Sequence, residues 1–321
     1  MVVILREAGL VVDTLKTNQD FPAALQWIAK IKGVRTVVSI SLFLIHLHKI
    51  LKKVDQVYFL TGFFNFFFLV TYPALILIKL HRKKVILSVR GGGAREFFKK
   101  YGFLVYPILR RVDLITAPSG FLQEIFIEAF GIKPIIVPNI ADLEQFSYRK
   151  RRPLKPCMLV TRSLEPIYNV QCVIQAFKLV SQQFPESKLG IIGDGSQRRM
   201  LESLVRKLGI ERNVIFYGRI DHSVIQEFYD EYDILVNGSN VDNFPGVVLE
   251  AFASGLPIVS TDAGGIPFMI EHEVTGLLVS RGDYKALARQ VIWLLENPGP
   301  AEKIADSAYH SCRQYRRENI K

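Results

Sequence analysis

Residues 236–267 read VNGSNVDNFPGVVLEAFASGLPIVSTDAGGIP, from Val236 to Pro267. A short apolar run ends at Asn237, and a polar loop carries Ser239 and Asp242 to Pro245-Gly246. Proline at a first helical position is pre-set for a helix start, so Val247–Ala253 is predicted as a helix. A second apolar run, Pro257–Ser260, follows and ends near Gly264-Gly265. Strand, helix and strand with nearly all-apolar strands is the unit of a parallel sheet covered on both faces. Unbonded N–H groups at the helix start make an anion site. Glu250 lies about one turn inside that helix, and seven residues separate it from Asp242. Two ionised carboxylates beside an anion site suit the hydroxyl pairs of a sugar, because carboxylates only accept hydrogen bonds.

The same alternation extends in both directions. Downstream of residue 156, Cys157–Thr161, Leu189–Ile192 and Val214–Tyr217 read as strands, as does Ile234–Asn237. Val170–Gln183, Gln197–Leu208 and Ser223–Tyr229 read as helices between them. Upstream, strands are expected at Leu10–Leu15, Val57–Leu60, Val85–Val89, Leu114–Ala117 and Ile135–Val137. Amphipathic and apolar helices are expected at Phe21–Lys32 and Thr36–Lys53. The polar run Tyr148-Arg-Lys-Arg-Arg-Pro-Leu-Lys-Pro156 separates the two series and has the composition of a linker. The chain therefore divides into residues 1–148, a linker at 149–156 and residues 157–321. The expected fold class is α/β, with two Rossmann-like doubly wound domains facing across a cleft.

Composition agrees with this and narrows the function. The chain has 321 residues, 49% hydrophobic and 22% charged, with three cysteines in no metal-ligand spacing. These values exclude fibrous, low-complexity and disulfide-stapled classes. Of the net charge of +11, residues 1–152 carry 23 basic against 10 acidic side chains, and the remainder 18 against 20. A basic half facing a near-neutral half points to an acidic partner of the first domain. Aromatic and basic residues are not interleaved and no nucleic-acid motif occurs, so an anionic membrane surface is expected rather than nucleic acid. Val57–Ile78 is an uncharged run of 22 residues followed by Lys79, Arg82, Lys83 and Lys84. Its length would span a bilayer, but Gly62, Asn65 and Pro73 punctuate it, and strand plus helix is the preferred reading. Phe63, Phe64, Phe66, Phe67 and Phe68 also suit attachment to a lipid surface.

The ordered set of motifs resembles glycosyltransferase family 4, retaining enzymes of the GT-B fold. The acidic pair of that family corresponds to Asp242 and Glu250. Val137-Pro138-Asn139 with Asp142 and Phe146, Thr161-Arg162-Ser163-Leu164-Glu165-Pro166, residues 189–195 and Phe216-Tyr217-Gly218-Arg219-Ile220 resemble its other signatures. The resemblance implies a catalytic set of Asp242, Arg162 and Glu250. Glu250 would bind the ribose of a UDP- or GDP-sugar, Asp242 would lie by the transferred sugar, and Arg162 would neutralise the leaving diphosphate. Backbone at Gly193, Gly195, Phe244, Gly246, Val247, Gly264 and Gly265 would line the donor, with Arg219 and Ile220 by the base. Arg90, Gly91 and Gly92 would lie on the acceptor side. No metal or other cofactor is expected.

Two departures from the family pattern carry consequences. Tyr168 occupies the position where members have a phosphate-binding lysine, leaving the role to Arg162 alone, Arg198 or Arg199. Residues 4–9 resemble the end of the family's first helix, so the first domain is expected to lack its first strand, in a shortened version of a longer enzyme. The implied activity is retaining transfer of a sugar to a lipid-linked or polysaccharide acceptor, by a cytoplasmic protein peripheral to the inner face of a membrane. A catalytically weak scaffold subunit of a polysaccharide assembly on the same fold is the alternative.

Overall fold

Short runs of β-branched and aliphatic residues buried on both faces form the strands of covered parallel sheets, and two such sheets form. The computed structural model describes residues 2–19, 21, 31, 33–139 and 142–315. Two units pack separately: residues 1–118 with 122–137, and residues 119–121 with 138–321.

In unit 1, helices α1 (Val2–Glu7) and α2 (Val34–Leu51) precede β1 (Gln56–Thr61), α3 (Tyr72–Leu80), β2 (Lys84–Val89), α4 (Ala94–Leu109), β3 (Leu114–Ala117), α5 (Gly120–Phe130) and β4 (Ile135–Ile136). The strands pair in parallel in the order β1-β2-β3-β4. Among the described residues, nothing pairs with the other edge of β1. Residues 10–15 are not a strand, and Val11 is 99% exposed. Among the described residues this apolar run has no neighbouring strand to bond to, and an isolated strand does not hold by itself. The helix expected at Phe21–Lys32 lies almost wholly outside the described residues.

The 57–78 run does not cross a membrane as one helix. It divides into β1, a π-helical turn at Phe67–Thr71 and α3. Pro73, at the start of α3, has no N–H for the carbonyl one turn back, which fits the widened turn before it. The phenylalanines divide between core and surface: Phe67 is buried and Phe63 and Phe68 are half-buried, while Phe64 and Phe66 are 40% and 37% exposed. Phe63, Phe64, Phe67 and Phe68 all set their rings 5.3–5.6 Å from Phe97 of α4, which is fully buried. Edge-on and tilted ring contacts of this kind add to area burial. Among the described residues, the helix that is long and apolar enough to cross a bilayer is α2, with 22% of its length buried.

In unit 2, β5 (Cys157–Thr161), α6 (Val170–Gln183), β6 (Lys188–Ile192), α7 (Arg198–Leu208), β7 (Val214–Gly218) and α8 (Ile225–Glu231) form the first half. The second half is β8 (Ile234–Asn237), α9 (Gly246–Ser254), β9 (Ile258–Thr261), β10 (Leu277–Val279), α10 (Tyr284–Glu296) and α11 (Pro298–Cys312). The six strands are all parallel, in the order β10-β9-β8-β5-β6-β7. Strand order reverses between β5 and β8, and ligands of such sheets bind outside the carboxyl ends of strands at that switch point.

The basic run at 149–156, expected as a linker, is instead bound to unit 2. Arg149 pairs with Asp233 at 2.6 Å, while Lys150 and Arg152 both pair with Glu302. Arg151 is 7% exposed and donates to the carbonyls of Arg149, Tyr229, Tyr232 and Ser254 at 2.7–3.2 Å. A guanidinium has five fixed donors, so a ring of carbonyls satisfies its charge where water is excluded. Burial lowers the Arg151 pKa to about 10, with Arg149 adding to that. The boundary between units falls earlier, at Val137/Pro138. Replacing Arg151 with Leu strands those carbonyls and is expected to cost about 3–5 kcal/mol in denaturant unfolding. A solvated linker would give a change within about 0.5 kcal/mol.

Candidate functional site

Arg162 follows β5 and Asn237 ends β8, so the switch point itself brings them together. Arg162 donates from Nε to Asn237 Oδ1 at 3.2 Å and from Nη2 to Asp242 Oδ2 at 2.5 Å. The guanidinium lies over the Tyr168 ring, 5.1 Å from its centroid. Arg162 and Asp242 side chains are only 11% and 12% exposed, so each charge depends on the other for compensation. Burial pushes the Asp242 carboxyl up, and Arg162 and the Asn243 N–H draw it back.

A polar network fixes this pair from below. Asn237 donates to Ser260 Oγ at 3.0 Å, and Ser239 donates to Asn237 Oδ1 at 2.8 Å. Thr261 in turn donates to the Ser239 carbonyl at 2.6 Å. All four of these residues are buried. Gly264 and Gly265 secure the loop from its other side. The Gly265 N–H donates to the Asp242 carbonyl at 2.9 Å. A Cβ on Gly264 would lie 2.1 Å from that carbonyl oxygen, and one on Gly265 would lie 1.8 Å from the oxygen of Asn243. Gly264 also has φ +55°, in the left-handed region. These glycines thus admit the backbone that carries Asp242. Gly193 and Gly195 do the same for the loop after Arg162, since added Cβ atoms would meet the carbonyls of Arg162 and Leu164 at 2.0 and 2.6 Å.

Glu250 sits on α9 with its side chain 13% exposed. The buried Tyr229 hydroxyl donates to Glu250 Oε2 at 2.6 Å and lies 2.9 Å from Thr161 Oγ1. Burial first, and then Glu250, hold that phenol protonated well above the ordinary tyrosine range. Tyr229 therefore ties the helix carboxylate to the residue before Arg162. His222 lies 3.4 Å from Glu250 Oε1 and is largely exposed. No side chain caps the start of α9; the Val248 N–H turns back to the Pro245 carbonyl at 3.2 Å, which leaves the Gly246 and Val247 amides at the helix end. The position of a Gly246 Cβ is 3.6 Å from Glu250 Oε1, which puts helix end and carboxylate side by side.

Asp242, Arg162, Glu250, Gly246, Val247, Gly264 and Gly265 are thus gathered at one end of the sheet of unit 2. Phe244 is buried, its carbonyl accepting from Asn139 Nδ2 at 3.2 Å. Arg219 is exposed, and Ile220 packs on the core beneath β7. Arg198 is committed to Glu202 at 2.6 Å and to the Phe216 ring, so it is no spare cation. Arg90, Gly91 and Gly92 belong to unit 1, where the Arg90 N–H donates to the Thr61 carbonyl at 2.8 Å. Sequence reasoning missed Tyr229, Asn237 and His222. Asn237 alone left a signal, a polar residue closing an apolar strand.

The two parallel-sheet units are those of the GT-B fold. A solved structure of Anabaena HepE in complex with UDP and glucose superposes with a TM-score of 0.72 at 19% identity, covering 98% of this chain and 84% of that one. Sucrose-phosphate synthase from Thermosynechococcus elongatus gives 0.74 at 20% identity, covering 90% and 77%. The family described as "Glycosyl transferases group 1" matches residues 144–311, and the chain belongs to that family. The Bacillus anthracis N-acetyl-alpha-D-glucosaminyl L-malate synthase is 36% identical over 156 residues, 48% of this chain and 40% of that protein. The Mycobacterium tuberculosis glycogen synthase is 27% identical over 257 residues, 75% of this chain and 61% of that protein. The chain thus spans less than two thirds of the length of these curated relatives.

The Arg162–Asp242 pair is open to a direct test. Arg162→Ala leaves a buried carboxylate alone and should cost about 3–5 kcal/mol. Adding Asp242→Ala should recover part of that loss, giving a coupling of about 0.5–3 kcal/mol in a double-mutant cycle of urea unfolding. Simple additivity would show the pair to be energetically idle.

Proposed function

We propose that this chain is a retaining glycosyltransferase of family 4, moving a sugar from a nucleotide-diphosphate donor to a lipid-linked or polysaccharide acceptor. The observation that carries the reading is the joining of Arg162, Asp242, Glu250 and the uncapped start of α9 at one switch point. Glu250 accepts from the ribose hydroxyls. The first-turn amides of α9 and Arg162 hold the diphosphate, a cradle of positive potential that acts without a metal ion.

In the reaction, the bond between the anomeric carbon and the β-phosphate oxygen breaks. The acceptor oxygen bonds the same carbon from the same face, and its proton passes to the departing phosphate. Arg162 stabilises the charge that develops there, which is strongest where water is excluded. Asp242, paired with Arg162 in the free protein, is released toward the transferred sugar as the phosphate takes its place. The acceptor side falls to unit 1, whose Arg90-Gly91-Gly92 turn follows β2. The excess of basic residues over 1–152 supports an acceptor held at the anionic, cytoplasmic face of a membrane.

A thermal-shift titration with UDP and with GDP tests the donor site. A nucleotide at about 100 times its Kd adds about 2.7 kcal/mol of stability. The expected result is a rise in Tm of a few degrees with one nucleotide, lost in Glu250→Ala. No rise with either, from a chain that melts cooperatively, would turn the reading to the catalytically weak scaffold. Turnover is expected to survive EDTA, measured as nucleotide release from the matching nucleotide sugar.

A further inference from the structure

Helix α2 has an unusual division of faces. Ser39, Phe43, Leu47 and Leu51 recur every four residues and are buried against unit 1. Its other faces mix polar and apolar side chains, and of the apolar ones Val34, Val37 and Ile45 are 45%, 65% and 53% exposed. Its mean hydropathy is 1.5, although only 22% of it is buried. Helix α3 continues the same surface, with Ile76 41% and Leu80 74% exposed. Between the two helices runs an open groove of about 460 Å³, its apolar lining supplied by Leu44, Ile45, Pro73, Ile76, Leu77 and Leu80 and its polar lining by His48 and Lys49. Contiguous exposed apolar surface of this kind marks an interaction site.

The charge around the groove is as lopsided as its hydropathy. The two helices end together, where His48 Nδ1 of α2 meets His81 Nε2 just past α3 at 2.9 Å. Exposed Lys49, Lys52 and Lys53 follow from α2, and exposed Arg82 and Lys84 follow α3. Asp55 is the acidic side chain nearest in sequence to these cations, while Asp113 is engaged by Lys79. An apolar helix face beside a cluster of cations matches an anionic lipid surface, where acyl chains meet the apolar side chains and phosphates meet the lysines. A second copy of unit 1 would bring the same cations, on a half of the chain with 23 basic against 10 acidic residues.

We propose that the α2–α3 groove is the surface by which this protein docks on an anionic bilayer. This deepens, and rests on, the reading of a membrane-held acceptor. It also moves the contact from the Phe63–Phe68 run, four of whose rings pack on Phe97, to helices α2 and α3. Docking lies in the interface plane: Ile45, Ile76 and Leu80 enter the headgroup–acyl boundary, and the basic end binds lipid phosphates.

Co-sedimentation of the full chain with vesicles tests this, using phosphatidylcholine alone and phosphatidylcholine mixed with phosphatidylglycerol. Binding is expected with the mixed vesicles and should fall as salt screens the cations. Ile45→Asp with Leu80→Asp, and separately Lys52→Gln with Lys53→Gln and Arg82→Gln, should each weaken binding by about tenfold or more. Neither set should change hydrolysis of the nucleotide sugar in solution. If the aspartate pair does not melt cooperatively, the glutamine set decides. The proposal is overturned if the wild-type chain ignores the mixed vesicles, or if both sets bind them as well as wild type. It is equally overturned if the aspartate pair only converts a dimer to a monomer. Vesicle binding without any sugar-nucleotide turnover would sink the enzyme reading and keep the surface; turnover without vesicle binding would do the reverse.

Discussion

A guanidinium that is nine-tenths buried needs a counter-charge, and Asp242 supplies it to Arg162. The rest of the site is organised by that requirement. Asp242 can only arrive at Arg162 if the 238–243 loop folds back over the end of the sheet. Loop residues have few ways to be held there without burying unsatisfied backbone groups. The Gly265 N–H satisfies one of them, and the missing side chains at Gly264 and Gly265 make room for two carbonyls. On the other side of Arg162, Gly193 lies so near the Arg162 carbonyl that no side chain would fit. Glycines that looked like ligand contacts in the sequence are thus needed first by the protein's own backbone. A ligand then meets loops that are already fixed.

The sheet makes this possible across long stretches of chain. Arg162 and Asp242 are 80 residues apart, and they meet because β5 and β8 are neighbours at the reversal of strand order. Tyr229 extends the arrangement to α9. Its single hydroxyl lies between Thr161 and Glu250, so the end of β5 and the first turns of α9 are held in one network. Buried polar networks rigidify a site only when their members are satisfied, and this one is satisfied from Thr261 through Ser239 and Asn237 to Arg162.

Much of this was legible in the sequence, for a physical reason. Strands buried on both faces are short apolar runs cut by Gly, Pro or Asn, and β3, β5 and β8 match their expected limits to the residue. Glu250 and Asp242 stood out because Pro245-Gly246 fixes where α9 begins. Four features were not legible. Leu10–Leu15 has the β-branched and apolar residues of a strand, but a strand exists only with a partner. The phenylalanines of 63–68 could not reveal which side Phe97 would approach from. The Arg149–Arg152 run has a linker's composition, yet one arginine found four carbonyls to bind. Tyr229 gave no sign at all, since its role is a contact between elements.

Tyr168 closes the account of charge in unit 2. Where the family pattern has a lysine, an aromatic face lies 5.1 Å from the Arg162 guanidinium. A lysine there would add a second positive charge near Arg162, and Asp242 would then have two cations to serve. A tyrosine holds the guanidinium through its ring and adds no charge. In the free protein the pair is therefore neutral, one arginine against one aspartate. On the proposed reaction, a diphosphate that displaces Asp242 exchanges one anion for another at a guanidinium that Tyr168 and Asn237 keep in place. The cation does not have to move, so the ordering it requires is made at folding rather than at binding.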